Sequence, residues 1–337
     1  MRLQRSDPAA PGIRRMRHGR GFRYVGPDGE PPSPDDLARV KALVIPPAWT
    51  DVWICAEPDG HLQALGTDDA GRRQYLYHPE WRLQRDREKF DRVLRFGAEL
   101  GTIRERAEKD LAGRGFTRAR VLAAAVRLID LGFFRIGGEE YAEENGTYGL
   151  ATVLREHVSC GRGVVTFEYL AKGAKERHQA VTEESVCRVV SGLRRRTRDG
   201  EQLLGYSVGR VWHEVRSADI NEYLREISGG DFTAKDFRTW HATVLAAVGL
   251  AVSADAGTSE SARKRAVARV VAEVAAYLGN TPAVARASYI DPRVIDLYER
   301  GTTIAPALKE LGHGTGPGEL ATRGPVEAAV RRMLASS

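Results

Sequence analysis

Tyr289 stands in "GNTPAVARASYIDP" (279–292), where one helix stops, a polar residue intervenes and another helix begins. Upstream lie three cationic segments: "FFRIGGEEYAEENGTYGL" (133–150), "TFEYLAKGAKERH" (166–178) and "FTAKDFRTWHATV" (232–244). Together they offer Arg135, Lys172 and Arg238, and Asn280 adds an amide beside the tyrosine. Such a set suits attack of a phenolic oxygen on a phosphodiester. The transition state needs its oxygens neutralised, and the leaving alkoxide needs a proton.

Each residue also has a plainer reading. Arg135 follows an apolar helix and could satisfy its terminal carbonyls, while Gly137 and Gly138 could admit a ligand close to backbone. Lys172 is at a hairpin tip, where a lysine often only solubilises. A lysine can also serve as an acid when arginines and a phosphate tune it. Lys175 competes for that role. Lys235 is three residues before Arg238 and can share its helical face, although Asp236 and Arg238 could equally form a surface arrangement. His241 could pack against Trp240. Asn280 could cap a helix or tolerate a left-handed turn, and Tyr289 could be a half-buried core aromatic.

The elements that must position these residues fall into two regions. Residues 21–87 carry short apolar–polar alternations split by Pro27-Asp28-Gly29, Pro58-Asp59-Gly60 and Thr67-Asp68-Asp69, the pattern of a small sheet of hairpins. A short helix is expected over Pro34–Leu43. From residue 88 helical periodicity dominates, through Phe90, Val93, Leu94, Leu100 and Ile103, the apolar run 118–134, and the stripe Val267, Val270, Val271, Val274, Ala275, Leu278. Gly279 is a natural helix stop, and Thr281-Pro282 a natural N-cap and first-turn pair. "VVTFEYL" (164–170) is a β-island that turns at 172–174. The expected fold class is α+β: a small β-rich N-terminal domain (1–87) and a larger, mainly α-helical catalytic domain (88–337) with a β-hairpin insertion.

At 337 residues the length suits about two domains. A 42% apolar fraction is ample for packed cores, and a net charge of +6 is compatible with a nucleic-acid partner without requiring one. Arg2, Arg5, Arg14, Arg15, Arg17, Arg20 and Arg23 crowd the N-terminus against Asp7, Asp28 and Glu30. This reads as a flexible arm, either merely solvated or contacting phosphates. Cys55, Cys160 and Cys187 show neither metal spacing nor a disulfide framework, which suits a reducing compartment. No apolar run approaches the ~20 residues of a membrane span, and the charged N-terminus is no signal peptide. A cytoplasmic, nucleoid-associated protein is expected. There is no Walker loop.

The segments "VIPPAW", "GRRQYLYHPEW" (71–81), "FRIGGEEYAEENGTYGL" and "FTAKDFRTWHATV" resemble the type IB DNA topoisomerases, specifically the small poxvirus-like bacterial branch, over most of the chain. "YAEENGTYGL" and "AKDFRTW" are the most specific stretches. The resemblance implies a monomeric, C-shaped clamp on double-stranded DNA, with the fold shared by tyrosine recombinases and topoisomerases IB. It implies supercoil relaxation through a 3′-phosphotyrosyl intermediate, strand rotation and religation, with no nucleotide, metal or other cofactor and no membrane. Carried over by position, Tyr289 is the nucleophile and Arg135 and Arg238 clamp the scissile phosphate. Lys172 is the general acid, and Lys235 assists. Asn280 fills the slot where viral relatives carry histidine, which keeps a hydrogen-bond donor and removes a possible cation. Gln74, Tyr75 and Tyr77 match the segment that enters the DNA groove, and Tyr141 the groove-facing helix. The hairpin departs by one extra residue before His178. Tyrosine recombinases share this catalytic logic. They usually carry His-x-x-Arg where this chain has Lys235-Asp236-Phe237-Arg238, and their N-terminal domain is helical. A non-catalytic DNA-binding protein, with Tyr289 in the core, is the other alternative.

Overall fold

The structure is a computed structural model that describes residues 3–139, 142, 146–173, 175–196, 200–253, 259–311 and 324–336. The chain divides into two compact units, Met1–Asp91 and Arg92–Ser337.

The first unit is built on a five-stranded antiparallel sheet. Its strands are β1 (Ile13–His18), β2 (Gly21–Val25), β3 (Thr50–Ile54), β4 (Leu62–Thr67) and β5 (Arg73–Tyr77), in the order β2-β1-β3-β4-β5. Ile13, Val52, Ile54 and Ala64 form its core with Val40 of helix α1 (Pro34–Ala42). Ser33 starts that helix by accepting the Asp36 N–H at 3.1 Å.

The arginine-rich N-terminus departs from expectation. Arg14, Arg15 and Arg17 lie in β1 and Arg23 in β2, paired as a hairpin from Arg14↔Val25 to His18↔Gly21. The cause is strand alternation: buried Ile13 and half-buried Tyr24 anchor the ribbon to the core. Arg15 is a structural residue. It donates to the Ile45, Pro46 and Trp49 carbonyls at 3.1, 3.0 and 2.6 Å, and its guanidinium lies 4.2 Å over the Phe22 ring.

The boundary at Asp91 falls within helix α2 (Pro79–Leu111). The second unit continues with α3 (Arg118–Gly132), α4 (Glu184–Arg195), α5 (Ser217–Ser228), α6 (Ala234–Val252) and α7 (Glu260–Leu278). It ends with α8 (Pro282–Ser288), α9 (Pro292–Glu299), α10 (Ala305–Leu311) and α11 (Pro325–Ala335). Among the described residues two β pieces interrupt the helices, where one hairpin was expected. The first is a three-stranded sheet of β6 (Val158–Gly161), β7 (Val164–Ala171) and β8 (Lys175–Thr182). The second is a separate hairpin of β9 (Gly205–Val208) and β10 (Val211–Glu214). The unexpected strands are four residues each, too short for alternation to register in the sequence.

α3 is buried continuously from Val121 to Val126 and sits at the centre of the core. Inside that core Asp130 is gripped by Arg104 at 3.0 Å through both of its oxygens, by Arg127 at 3.0 Å, and by His241 Nε2 at 3.1 Å. Arg104 also holds Glu327 of α11 at 2.7 Å. This polar knot ties α2, α3, α6 and α11 together. Among the described residues no helix is long and apolar enough to cross a membrane.

Candidate active site

α3 ends after Gly132 with Phe133 in the left-handed region (φ 54°), and that turn releases Arg135 from the helix. The Arg135 and Ile136 carbonyls accept from Leu150 and Ala151 N–H at 2.9 and 2.7 Å, which fixes the segment as a backbone-paired strip. Gly137 has φ +88°, and a Cβ there would meet the Gly149 Cα at 2.9 Å. Its glycine character therefore serves a backbone-to-backbone contact inside the protein.

α6 presents Lys235 and Arg238 from its first turns. Asp236 locks that end by accepting from Thr233 N at 2.8 Å and from Arg92 at 2.7 Å. This replaces the surface arrangement that the sequence left open, since Asp236 and Arg238 are 1% and 4% exposed. His241 does lie in the core, but its partner is Asp130.

α7 stops at Gly279 (φ +62°), and Thr281 caps α8 by accepting the Val284 N–H at 3.3 Å. Tyr289 is the residue that closes α8. Its backbone is held from α6: the Thr243 hydroxyl lies 3.3 Å from the Tyr289 carbonyl and accepts the Asp291 N–H at 3.1 Å. Helix α6 thus sets both Arg238 and the chain around Tyr289.

These elements form one cleft of about 310 Å³, whose walls include Arg135, Tyr148, Lys172, Lys235, Arg238 and Tyr289. Lys172 follows β7 at the hairpin tip, next to Gly173 (φ +79°), while Lys175 pairs with Ala171 at the start of β8. Lys172 lines both this cleft and a smaller adjoining cavity; Lys175 lines the adjoining cavity and not the cleft.

Three arginines converge on the C-terminal ends of two helices. Arg238 donates to the Phe133 carbonyl and to the Leu278 carbonyl, the latter at 2.8 Å. Arg135 donates to the Gly279 carbonyl at 3.1 Å and to the Asn280 side-chain oxygen. Arg177 of β8 donates to the Gly132 and Tyr277 carbonyls at 3.4 and 3.2 Å. The partial negative charge at helix C-termini offsets the repulsion of clustered guanidinium groups. That repulsion persists: burial first, and the charge of Arg135 next, lower the Arg238 pKa to about 10. The Arg238 guanidinium carbon lies 5.3 Å from the Tyr289 ring centroid. Burial pushes the Tyr289 phenol up, but the charges of Arg238 and Arg135, a hydrogen bond from Arg238 and the charge of Lys235 outweigh it. The net shift is below the usual tyrosine range. Two buried nitrogens, Arg238 Nε and Asn280 Nδ2, have no partner among the described residues. Unspent buried donors beside a cationic cleft suit an anionic ligand.

Arg135, Lys172, Lys235, Arg238 and Tyr289 therefore share a cleft, and Asn280 is joined to it through Arg135. Gln74, Tyr75 and Tyr77 lie on β5 in the other unit. There the strand alternates: Tyr75 and Tyr77 are 47% and 38% exposed and stack at 6.1 Å, whereas Gln74 points to the other face and donates to Asp68 at 2.9 Å. Tyr141 lies outside the described residues. Sequence reasoning missed Arg177, Tyr148 and Thr243. For Arg177 a signal existed, because it stands at i+2 from Lys175 on a strand and is paired with Tyr169. For Thr243, nothing local marks a helical threonine as the anchor of a residue 46 positions away.

Two family models match the chain. One, described as the catalytic core of eukaryotic DNA topoisomerase I, matches residues 78–307. The other, the N-terminal domain of bacterial DNA topoisomerase IB, matches residues 21–68. Among curated proteins, the chain is 29% identical to DNA topoisomerase 1B of Acanthamoeba polyphaga mimivirus, over 86% of this chain and 88% of that one. It is 23% identical to DNA topoisomerase 1B of Vaccinia virus (strain Copenhagen), over 70% of this chain and 72% of that one. It is 28% identical to DNA topoisomerase 1 beta of Arabidopsis thaliana, over 48% of this chain and 17% of that one.

Proposed function

The chain belongs to the type IB DNA topoisomerases, which relax DNA through single-strand cleavage, and from that premise we propose that Tyr289 carries the cleavage as a covalent nucleophile on double-stranded DNA. The observation that supports this most is the single cleft that Tyr289 shares with Arg135, Lys172, Lys235 and Arg238.

In this reading the Tyr289 phenol loses its proton to water, helped by the surrounding cations, and its oxygen bonds to the scissile phosphorus. The bond from phosphorus to the 5′-oxygen breaks, leaving a 3′-phosphotyrosyl enzyme. Lys172 gives its proton to the departing 5′-oxygen, assisted by Lys235. Arg135, Arg238 and the Asn280 amide N–H neutralise the non-bridging oxygens, the role that a metal ion fills in other phosphoryl transfers. The cut strand rotates about the intact one. The 5′-hydroxyl then attacks the phosphotyrosine and restores both the strand and the phenol. Bond energy is conserved throughout, so the reaction runs without ATP or metal. The N-terminal unit contributes DNA contacts through Tyr75 and Tyr77, and the enzyme acts as a cytoplasmic, nucleoid-associated monomer.

The test is a supercoiled plasmid in EDTA without ATP. Relaxation, together with a denaturant-resistant protein–DNA adduct that Tyr289→Phe abolishes, is the expected result. Adduct formation by the Phe variant would reject Tyr289, and relaxation that needs ATP or a divalent ion would reject the mechanism.

A further inference from the structure

The outer end of the β7–β8 hairpin, which carries Lys172, is held from both strands. On β7 the Leu170 carbonyl accepts the Tyr148 N–H at 2.8 Å, which ties that strand to the strip after Arg135. On β8 Arg177 reaches across to two helices. Its guanidinium donates to the Gly132 carbonyl at 3.4 Å and to the Tyr277 carbonyl at 3.2 Å, and the Gln179 side-chain oxygen braces it by accepting at 2.9 Å. Around this half-buried side chain Lys172, Gly173, Lys175, Glu176 and His178 are all exposed.

Which carbonyls Arg177 takes is informative. It joins Gly132, the last residue of α3, to Tyr277 near the end of α7. Arg238 joins Phe133 to Leu278, one residue further along each helix end. Arg135 then takes the Gly279 carbonyl at 3.1 Å. Arg177 thus occupies the neighbouring rung of the same row of carbonyls that fixes Arg135 and Arg238, so the hairpin and these two arginines share one anchor. The seat is close: a Cβ on Gly279 would lie 3.5 Å from Arg177 Nη1. Burial lowers the Arg177 pKa, the Tyr169 phenol opposes that, and the charge of Arg135 adds to it. A third cation is a poor choice for stability alone beside two others. What arginine supplies is a rigid fork whose two terminal nitrogens reach two carbonyls at once.

Arg177 pairs with Tyr169 across the hairpin, two residues along β8 from Lys175, whose partner Ala171 immediately precedes Lys172. At ~3.3 Å per residue the attachment lies about 7 Å behind the tip. Lys172 and Arg177 line the same adjoining cavity of about 150 Å³. We propose that Arg177 is a positioning residue for the cleavage reaction: by fastening β8 to the ends of α3 and α7 it sets the reach of Lys172 to the departing 5′-oxygen. The inference rests on the proposed role of Lys172 as the acid. In it Arg177 moves no proton and touches no reacting atom, its terminal nitrogens being engaged by the two carbonyls and Gln179.

The experiment measures single-turnover cleavage of two duplexes by the full-length chain, one with an ordinary 5′-oxygen and one with a 5′-bridging sulfur at the scissile phosphate. It compares wild type, Arg177→Met, Lys172→Ala and the double variant. Arg177→Met should slow the ordinary duplex by about 10- to 10²-fold, the scale of a reacting group misplaced by about an ångström. It should cleave the sulfur duplex near the wild-type rate, because a thiolate leaves without a proton. Adding Arg177→Met to Lys172→Ala should cost ordinary cleavage little more, since an acid already absent cannot be misplaced. A folding defect slows both duplexes alike, so the sulfur duplex separates it from a misplaced acid. Arg177→Gln carries the same expectation, which keeps a defect peculiar to methionine from deciding the outcome. Equal slowing of both duplexes by both replacements, unchanged cleavage of the ordinary duplex, or additive losses in the double variant would each overturn the proposal and leave Tyr289 chemistry standing. A Lys172→Ala enzyme that sulfur does not rescue would remove the acid and this proposal with it. Wild-type protein that cleaves neither duplex would remove the functional reading beneath both.

Discussion

Arg135 grips Asn280 by its side-chain oxygen, and that contact decides which end of the amide is spent. The other end, Nδ2, is buried with no partner among the described residues. An unmet buried donor costs about 1–3 kcal/mol, a cost removed when a phosphate oxygen arrives. That oxygen gains charge as the phenol attacks, so the donor is worth more in the transition state than in the ground state.

Asn280→Ala should therefore slow single-turnover cleavage by about 10²-fold, the scale of losing one preorganised donor. Asn280→His, which keeps an N–H, should retain most of the rate. Asn280→Asp should be worse than Ala, because a carboxylate would offer no donor and would neutralise Arg135. A fully active Asn280→Gly enzyme would reduce Asn280 to a turn residue between α7 and α8, and melting temperatures of the four variants would report that role.

The Tyr289 phenol is held below the usual tyrosine range by cations that overcome its burial. If the phenolate is the attacking form, cleavage should rise with pH and level off below the ~10 of free tyrosine. Replacing Arg135 by Gln removes a positive charge, so the phenol should titrate higher and the levelling point should move up. Rapid-quench cleavage against pH for both proteins checks this. Identical profiles would mean that Arg135 does not act on the phenol.

Lys172→Ala should slow cleavage of ordinary DNA by a factor on the order of 10²–10⁴, the usual worth of a positioned acid. A 5′-bridging sulfur leaves as a thiolate and needs no proton, so that substrate should restore the rate. Lys175→Ala should leave both substrates near wild type, since Lys175 lines the adjoining cavity and not the Tyr289 cleft. Rescue of Lys175→Ala in place of Lys172→Ala would exchange the two roles.

The parts of this fold legible in the sequence were those governed by local rules. α7, its Gly279 stop and the Thr281-Pro282 start followed from periodicity and capping. The β7–β8 turn followed from alternation and a glycine. The expected cleft residues came from a resemblance, because no local rule states that Arg135 and Arg238 would meet at one pair of helix ends. What escaped was non-local. Arg177 is half-buried against carbonyls of two distant helices, and Thr243 works through the backbone of Tyr289. The arginine run at the N-terminus misled because charge suggested an arm, whereas Ile13 and Tyr24 were enough to hold it as a hairpin.

Asp130 makes a prediction that concerns stability. It is 2% exposed, and burial alone would raise its pKa. The hydrogen bond with His241 and the charge and hydrogen bonds of Arg104 prevail and hold it well below the usual carboxylate range. A carboxyl depressed in the folded state stabilises the fold at pH above its unfolded value of ~3.9, and that contribution fades as pH falls toward the folded value. Wild-type melting temperature should thus drop steeply below about pH 4. Asp130→Asn leaves Arg104, Arg127 and His241 without their shared anion, so it should cost about 3–5 kcal/mol at neutral pH. It should also flatten the acid limb, because the titrating group is gone. Arg238 lies one helical turn before His241, so loosening this knot should lower cleavage as well, but less than Arg238→Ala does. Thermal melts from pH 2 to 7, paired with single-turnover cleavage, test both halves. An Asn variant with wild-type stability and the same acid limb would show that the knot contributes nothing to the fold.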